Sequence, residues 1–212
     1  MHLRKIIFAS ILMAVVALAQ TQDTGFQVRY AGNLDKGESY INIVNDGYLG
    51  ASPNGPGIGK TTGQICVNVY AFSPDEQMVS CCSCPVTSNG VVNLGVNRDL
   101  VSNTLTGFTP TSVTIKLVAT NAAANATIDC KYSAMQPLAP VQGMLAWGST
   151  LHPQNVGGAV GWATVETPFS TAGLSAAESL RLTTMCTNIY GNGSLYGICG
   201  SCQPGALGAK KR

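Results

Sequence analysis

Charged side chains are scarce in this chain, and their scarcity excludes several classes of protein. Only 10% of the 212 residues are charged, against about 25% in an average soluble domain, while 45% are hydrophobic. Intrinsic disorder requires low hydrophobicity and high net charge, and long coiled coils are built from Ala, Glu, Lys, Leu and Arg. The composition therefore excludes both classes, and the length favours roughly one folded domain.

Basic residues are few in the body of the chain. Residues 20–209 hold 7 basic and 10 acidic residues, whereas a nucleic-acid binder needs a basic face to neutralise phosphates. The basic cluster at the C-terminal end, Lys210 to Arg212, is interpreted as a solvated tail. We expect no nucleic-acid partner.

Long hydrophobic runs are absent apart from one near the N-terminus. That run, Ile6 to Leu18, is shorter than the ~20 residues that a membrane-spanning helix needs. It follows Arg4 and Lys5 and ends in the small-x-small pattern Ala17-Leu18-Ala19, which is typical of a secretory signal peptide. We predict a signal peptide over residues 1–19 and a mature chain that is extracellular or periplasmic and does not cross a membrane.

Catalytic residue sets are also lacking. His152 is the single histidine after residue 19, and no Gly-x-Ser-x-Gly nucleophile motif is present. Asp75 and Glu76 are neighbours in a predicted turn, and no spacing selects the remaining acids as a catalytic pair. We therefore expect no enzyme activity, no catalytic residues, no bound metal and no cofactor.

Cysteine, in contrast, is abundant in the predicted mature chain. An even number of cysteines in an exported protein favours disulfide bonds. Two alternatives remain open: a redox-active pair in Cys199-Gly200-Ser201-Cys202, and a zinc site that uses this pair with two further thiolates. The disulfide candidates are Cys66, Cys81, Cys82, Cys84, Cys130, Cys186, Cys199 and Cys202.

Some disulfide pairings can be ranked by their distance along the chain. Cys186 is expected to pair with Cys199 or Cys202, because a short Gly-rich segment returns the chain to the end of a predicted helix. The cysteines at 81, 82 and 84 would then pair largely with Cys66 and Cys130. Because neighbours in a strand face opposite sides, Cys81 and Cys82 are expected to have different partners.

Alternating apolar and polar residues predict a series of short β-strands. The strand with the clearest pattern, 64–72, places Ile65, Val67, Val69 and Ala71 on one face and is followed by a Ser-Pro-Asp-Glu turn. Pairing Phe72 with Gln77 would place Val67 opposite Cys82. The other predicted strands are 26–30, 39–44, 77–84, 91–96 and 112–120, with weaker ones at 127–133, 141–150 and 160–169; Asn89-Gly90 favours a hairpin turn.

Seven or eight short strands separated by turns predict an all-β fold, an antiparallel β-sandwich of jelly-roll or immunoglobulin-like type. One C-terminal helix is expected, because Ser175 and Glu178 form a capping box and Gly191 or Gly193 supplies a stop. Ala177, Leu180, Thr184 and Met185 would form its buried stripe. We predict a sandwich domain over residues 20–172, and over 173–212 a helix and a Cys/Gly-rich tail that pack on it.

Three hypotheses of function follow. The first is a secreted, disulfide-stabilised structural or interaction protein that self-associates at a cell surface or in a filament, with Gln20 to Tyr30 added as a strand to a neighbour's sheet. The second is a carbohydrate- or small-ligand-binding sandwich in which Trp147 and Trp162, with tyrosines such as Tyr190 and Tyr196, stack on the ligand. The third is a cysteine-based zinc or redox protein.

Overall fold

Ten β-strands and one α-helix make up most of the structure, a computed structural model that describes residues 24–53, 62–122, 130–200 and 202–204. The predicted signal peptide lies outside these residues. The strands are β1 (Phe26–Ala31), β2 (Tyr40–Asn45), β3 (Ile65–Phe72), β4 (Met78–Val86), β5 (Val91–Gly95), β6 (Val113–Asn121), β7 (Met144–Val156), β8 (Ala159–Pro168), β9 (Ser170–Thr171) and β10 (Gln203–Pro204), and the helix is α1 (Ala176–Gly191).

The strands form two five-stranded sheets. The first sheet has the order β4-β3-β6-β1-β9 and the second the order β10-β5-β2-β7-β8, with every pair of neighbouring strands antiparallel. Apolar side chains from the facing surfaces, such as Ile41 and Ile43 of β2 and Val69 of β3, are fully buried between the sheets. The predicted all-β sandwich with one C-terminal helix is confirmed.

A third layer covers the outer face of the first sheet. Leu182, Cys186 and Ile189 of α1 pack with Tyr70 and other residues of that sheet in a second apolar cluster. Every residue of β3 is consequently buried, because its alternate side chains enter the two clusters. The sequence pattern had assigned only one face of this strand to the core.

The helix begins as predicted but buries a different stripe. The Ser175 hydroxyl accepts a hydrogen bond from the Glu178 amide at 3.1 Å, and the helix ends at Gly191. The prediction for the buried stripe was wrong, since Ala177, Leu180 and Thr184 are exposed and Met185 is only partly buried. The Glu178 carboxylate pairs with Lys116 of β6, which helps to fix which face of α1 meets the sheet.

Two local predictions from the sequence are wrong. A turn predicted to form a hairpin joins two different sheets, and part of a predicted strand is a 3₁₀ helix. The turn at Asn89-Gly90 forms, with the Gly90 amide donating to the Thr87 carbonyl at 2.8 Å, but it carries the chain from β4 in the first sheet to β5 in the second. It therefore makes no hairpin. Within the weak strand predicted at 127–133, the described part belongs to a 3₁₀ helix, Cys130–Met135.

The β3–β4 hairpin forms with a register shifted by two residues from the prediction. Val67 lies opposite Cys84, and the pairing has an irregularity between Ala71 and Phe72. A shift of two residues changes each opposite neighbour but keeps every side chain on its predicted face. Cys81 and Cys82 accordingly enter different apolar clusters.

Candidate interaction surface

All eight cysteines form disulfide bonds, but the ranking of the pairings by distance along the chain was wrong. The helix packs over β4 and brings Cys186 to Cys81, while the chain after the helix runs beside β4. These long-range placements cannot be deduced from local loop lengths. The bonds are Cys66–Cys130, Cys81–Cys186, Cys82–Cys199 and Cys84–Cys202, with Cα atoms 5.4–5.9 Å apart.

These bonds exclude the third hypothesis in the form in which the sequence suggested it. Cys199 and Cys202 bond to two different residues of β4 and not to each other, so they are not a redox-active pair. No cysteine is left as a free thiolate for a zinc ion. Four disulfides indicate a chain that matures outside the reducing cytosol. Among the described residues, no helix has the length and apolar character needed to cross a membrane.

The C-terminal tail, which we define as residues 197–200 and 202–204, covers the edges of both sheets on the cysteine side. The Cys81 amide donates to the Gly197 carbonyl at 2.8 Å, and the Cys199 amide donates to the Cys81 carbonyl at 3.2 Å. Further along, Gln203 pairs with Asn93 of β5. The outer edge of β4 and the edge of β5 that faces away from β2 are thus both covered by the tail, and we call this region the clamped side.

A long hairpin projects at the opposite side of the second sheet. Strand β2 pairs with β7 only from Met144 to Gly148, whereas β7 and β8 remain paired from Trp147 out to Val156. We call the paired segments 149–156 and 159–166 the arm. Within the described residues, the outer edge of β8 has no strand partner.

The tip of the arm explains how the hairpin forms. Gly157 and Gly158 both have positive φ angles, +59° and +88°, which a two-residue turn joining right-twisted strands requires. Two weak strands are predicted here from the sequence, at 141–150 and 160–169, without the hairpin that joins them. The Gly157-Gly158 pair between β-forming segments was the available signal.

The surface of the arm is exposed and almost uncharged. Side chains of Val160, Val165 and Trp162 are 70%, 43% and 39% exposed. Glu166 is the one Asp, Glu, Lys or Arg in residues 149–166. Natural edge strands are usually protected by lysines, prolines, bulges or covering segments. The arm between Ala159 and Val165 has neither Lys nor Pro, and no described segment covers the outer edge of β8.

The two tryptophans are not brought together. Trp147 is partly buried opposite Pro168, and Trp162 is exposed opposite Pro153 on the same outward face of the second sheet. The six residue steps along β7 from Trp147 to Pro153 correspond to about 20 Å, at roughly 3.3 Å per residue. Both rings therefore cannot stack on one sugar ring.

The tyrosines considered with them lie elsewhere in the fold. Tyr190 is part of α1 and makes an edge-to-face contact with Tyr132 at 6.4 Å between ring centroids. Tyr196 is exposed just before the C-terminal tail. Trp162 is thus the exposed aromatic side chain of the arm, without the other three at its side.

The N-terminal segment proposed as a donated strand is used within the chain itself. Phe26–Ala31 forms β1, which lies between β6 and β9 of the first sheet. This part of the hypothesis is wrong for residues 26–30. Residues 20–23 of that segment lie outside the described residues.

Comparison with known proteins returns no match: no family model matches the sequence, and neither a curated protein nor a solved structure matches the chain at a significant level.

Proposed function

We propose that this chain is a secreted structural protein that self-associates through the arm, with the β8 edge of one copy pairing with the β8 edge of another. The proposal assigns the chain an assembly role and no catalytic one. The observation that supports it most directly is the unpartnered outer edge of β8 within the described residues.

The contrast between sheet edges supports the choice of β8. The edges of β4 and β5 are covered by the tail, which two disulfides attach to β4. An uncovered strand presents a row of main-chain donors and acceptors that another strand can satisfy. Two copies of β8 in antiparallel orientation would satisfy each other by two-fold symmetry.

The composition of the arm also favours a second copy as its partner. Because Glu166 is its one charged side chain, two copies of the arm can approach each other with little electrostatic repulsion. Val160 and Trp162 lie on one face of the hairpin and would add apolar contacts along a continuous sheet.

Sedimentation velocity over a wide range of protein concentration tests the proposal. The wild type is expected to show a weight-average sedimentation coefficient that rises with concentration. The double variant Val160→Lys, Val165→Lys adds charges of the kind that natural edge strands carry, and its dissociation constant should rise by roughly tenfold or more, about 1.4 kcal/mol.

A matched control variant replaces two other exposed apolar residues. Leu180 and Leu195 are each 68% exposed and lie in α1 and in the loop after it. Leu180→Lys, Leu195→Lys adds the same charge and should associate like the wild type. A wild type that stays monomeric at every concentration, or an arm variant that associates as strongly as the control, contradicts the proposal.

Carbohydrate binding is the second candidate, and the exposure of Trp162 is the observation that favours it. An exposed tryptophan on a flat strand face can stack on a sugar ring. Titration with cellohexaose and with chitohexaose, followed by isothermal titration calorimetry, should then give a saturable heat of binding that Trp162→Ala removes and Tyr196→Ala retains. A flat response to both sugars rejects this candidate.

A further inference from the structure

A cleft of about 500 Å³ opens between the two sheets at the base of the arm. It lies beside β1, because β9 covers only Gln27 and Val28 of that strand. On the N-terminal side of β9 the chain belongs to the second sheet, where the Phe169 amide donates to the Ala146 carbonyl at 2.9 Å. The lining includes Arg29, Tyr30, Asn33, Thr150, His152 and Thr167.

The main chain of Tyr30 faces this opening. The Phe26 carbonyl accepts from Ala172 on the β9 side, whereas the Gly25 carbonyl accepts from Ala119 on the β6 side. Because main-chain groups alternate between the two edges of a strand, the N–H and C=O of Tyr30 point to the β9 side. No described strand pairs with Tyr30 there.

Arg29 reaches across the cleft from the inner face of β1. One terminal nitrogen, Nη1, donates to the Thr167 carbonyl at 2.7 Å and also to the Thr167 hydroxyl, and Nη2 donates to the Thr150 hydroxyl at 2.9 Å. The Nε–H is buried and has no acceptor. Gly148 makes room for this side chain, since a Cβ there would lie 2.6 Å from Arg29 Cδ.

The acceptors around Arg29 are neutral. Among the described residues, no carboxylate lies within ion-pair distance of the guanidinium. Partial burial lowers the pKa of Arg29, while Glu166 acts at longer range in the opposite direction. The Glu166 carboxylate itself accepts from the Asn42 amide at 3.3 Å, on the outward face of the second sheet.

A carboxylate matches this arrangement in both charge and shape. A guanidinium is a planar fork of N–H donors, and its hydrogen bonds to a carboxylate are shorter and stronger than those to neutral oxygens. The cleft has one Lys or Arg side chain, Arg29, together with several hydroxyl groups and the Asn33 amide, which suits an acid that carries a single negative charge. Its volume lies within the usual range for small-molecule sites, roughly 300–1,000 Å³.

We propose that this cleft is a binding site for a small carboxylic acid, with the carboxylate held by the terminal nitrogens of Arg29 and the main-chain N–H of Tyr30, because the Arg29 Nε–H has no accessible surface and packs against Gly148. The site is distinct from the self-association proposed for the outer edge of β8, because its ligand contacts are on β1. Failure of either proposal leaves the other standing.

Nuclear magnetic resonance at constant ionic strength tests the site with three monocarboxylates as probes: acetate, lactate and benzoate. The Arg29 Nε–H and the Tyr30 amide signals are expected to shift in a saturable way with at least one probe, while neutral lactamide leaves them unchanged. If none of the three acids gives a saturable shift at these two signals, the proposal is overturned.

Two substitutions separate a ligand role from a purely structural one. Arg29→Gln should weaken binding of the responding acid at least tenfold, and Arg29→Lys should weaken it less, because lysine keeps the charge but loses the fork. Arg181→Gln, on α1, is the control and should bind as the wild type does. Should Arg29→Gln fail to fold, the Arg29→Lys result and the wild-type Nε–H shift decide. Unchanged affinity in a folded Arg29→Lys or Arg29→Gln protein overturns the proposal.

Discussion

The two sides of the sandwich differ in whether another segment of the chain covers the outer strands of the sheets. On the clamped side the tail pairs with β4 and β5, and two of the four disulfides join that tail to β4. On the arm side there is no cysteine, and the outer edge of β8 has no partner within the described residues. The tail that is bonded to β4 covers the edges of β4 and β5, whereas no described segment covers the outer edge of β8. This difference is the reason for proposing the arm as the interaction surface.

The largest expected effect concerns the clamped side. The tail is joined to β4 by Cys82–Cys199 and Cys84–Cys202, and each bond closes only a short loop while the other remains. With Cys81–Cys186 left in place, the two together restrict an unfolded loop of about 15 residues, which is stabilised by roughly 3 kcal/mol. The variant Cys82→Ala, Cys84→Ala, Cys199→Ala, Cys202→Ala should therefore lose at least about 3 kcal/mol of free energy of unfolding in a denaturant titration.

The arm variant provides the comparison for that measurement. Val160→Lys, Val165→Lys should change the free energy of unfolding by less than about 0.5 kcal/mol, as exposed substitutions usually do. If both variants lose similar amounts, the two sides do not differ as the structure indicates.

The next effect tests how firmly α1 belongs to the clamped side. Leu182 is fully buried against the first sheet, so Leu182→Ala should cost about 2–4 kcal/mol by leaving a cavity. Leu180→Ala, on the exposed face of the same helix, should stay within about 0.5 kcal/mol. Thermal and denaturant unfolding would measure both, and a loss at Leu180→Ala as large as or larger than the loss at Leu182→Ala would contradict the observed orientation of α1.

A smaller and pH-dependent loss of stability is expected when Tyr70 is replaced. This residue is buried between the first sheet and the third layer. Its hydroxyl donates to the Ala134 carbonyl at 2.9 Å, and burial raises its pKa above the ordinary value of about 10. At pH 8, Tyr70→Phe should cost about 1 kcal/mol, because the carbonyl loses its donor.

The pH dependence of that cost has a definite sign. The folded state keeps the proton of Tyr70, whereas the unfolded state loses it above about pH 10, so stability falls as pH rises through 10. The free energy of unfolding of the wild type should therefore no longer exceed that of Tyr70→Phe by about pH 11. Unfolding titrations at pH 8 and pH 11 measure this, and a constant difference between the proteins would show that Tyr70 ionises equally in both states.

Local signals in the sequence predicted most strands and the start of the helix. Alternation identified β3, whose alternate residues do face the core, and Ser175 begins the helix because its hydroxyl satisfies an amide in the first turn. The turn at Asn89-Gly90 shows the limit of this reasoning. The same dipeptide can reverse a chain within one sheet or carry it to another, and only the packing of distant strands decides.

The disulfides and the two proposed sites depend on contacts that are distant in sequence. The partner of Cys81 is 105 residues away and is set by where α1 packs. Arg29 looks like an ordinary polar residue of a half-buried strand, and its environment depends on Gly148 and Thr167. Periodicity within one strand carries no information about such neighbours.

Hydrogen–deuterium exchange at several protein concentrations tests most directly whether the arm, and not the clamped side, is the interaction surface. Amides of residues 159–166 should exchange more slowly as concentration rises, because a second copy occupies their edge, while amides of β4 should keep the same rates. Concentration-independent exchange in the arm, or protection that grows in β4 instead, would contradict the account.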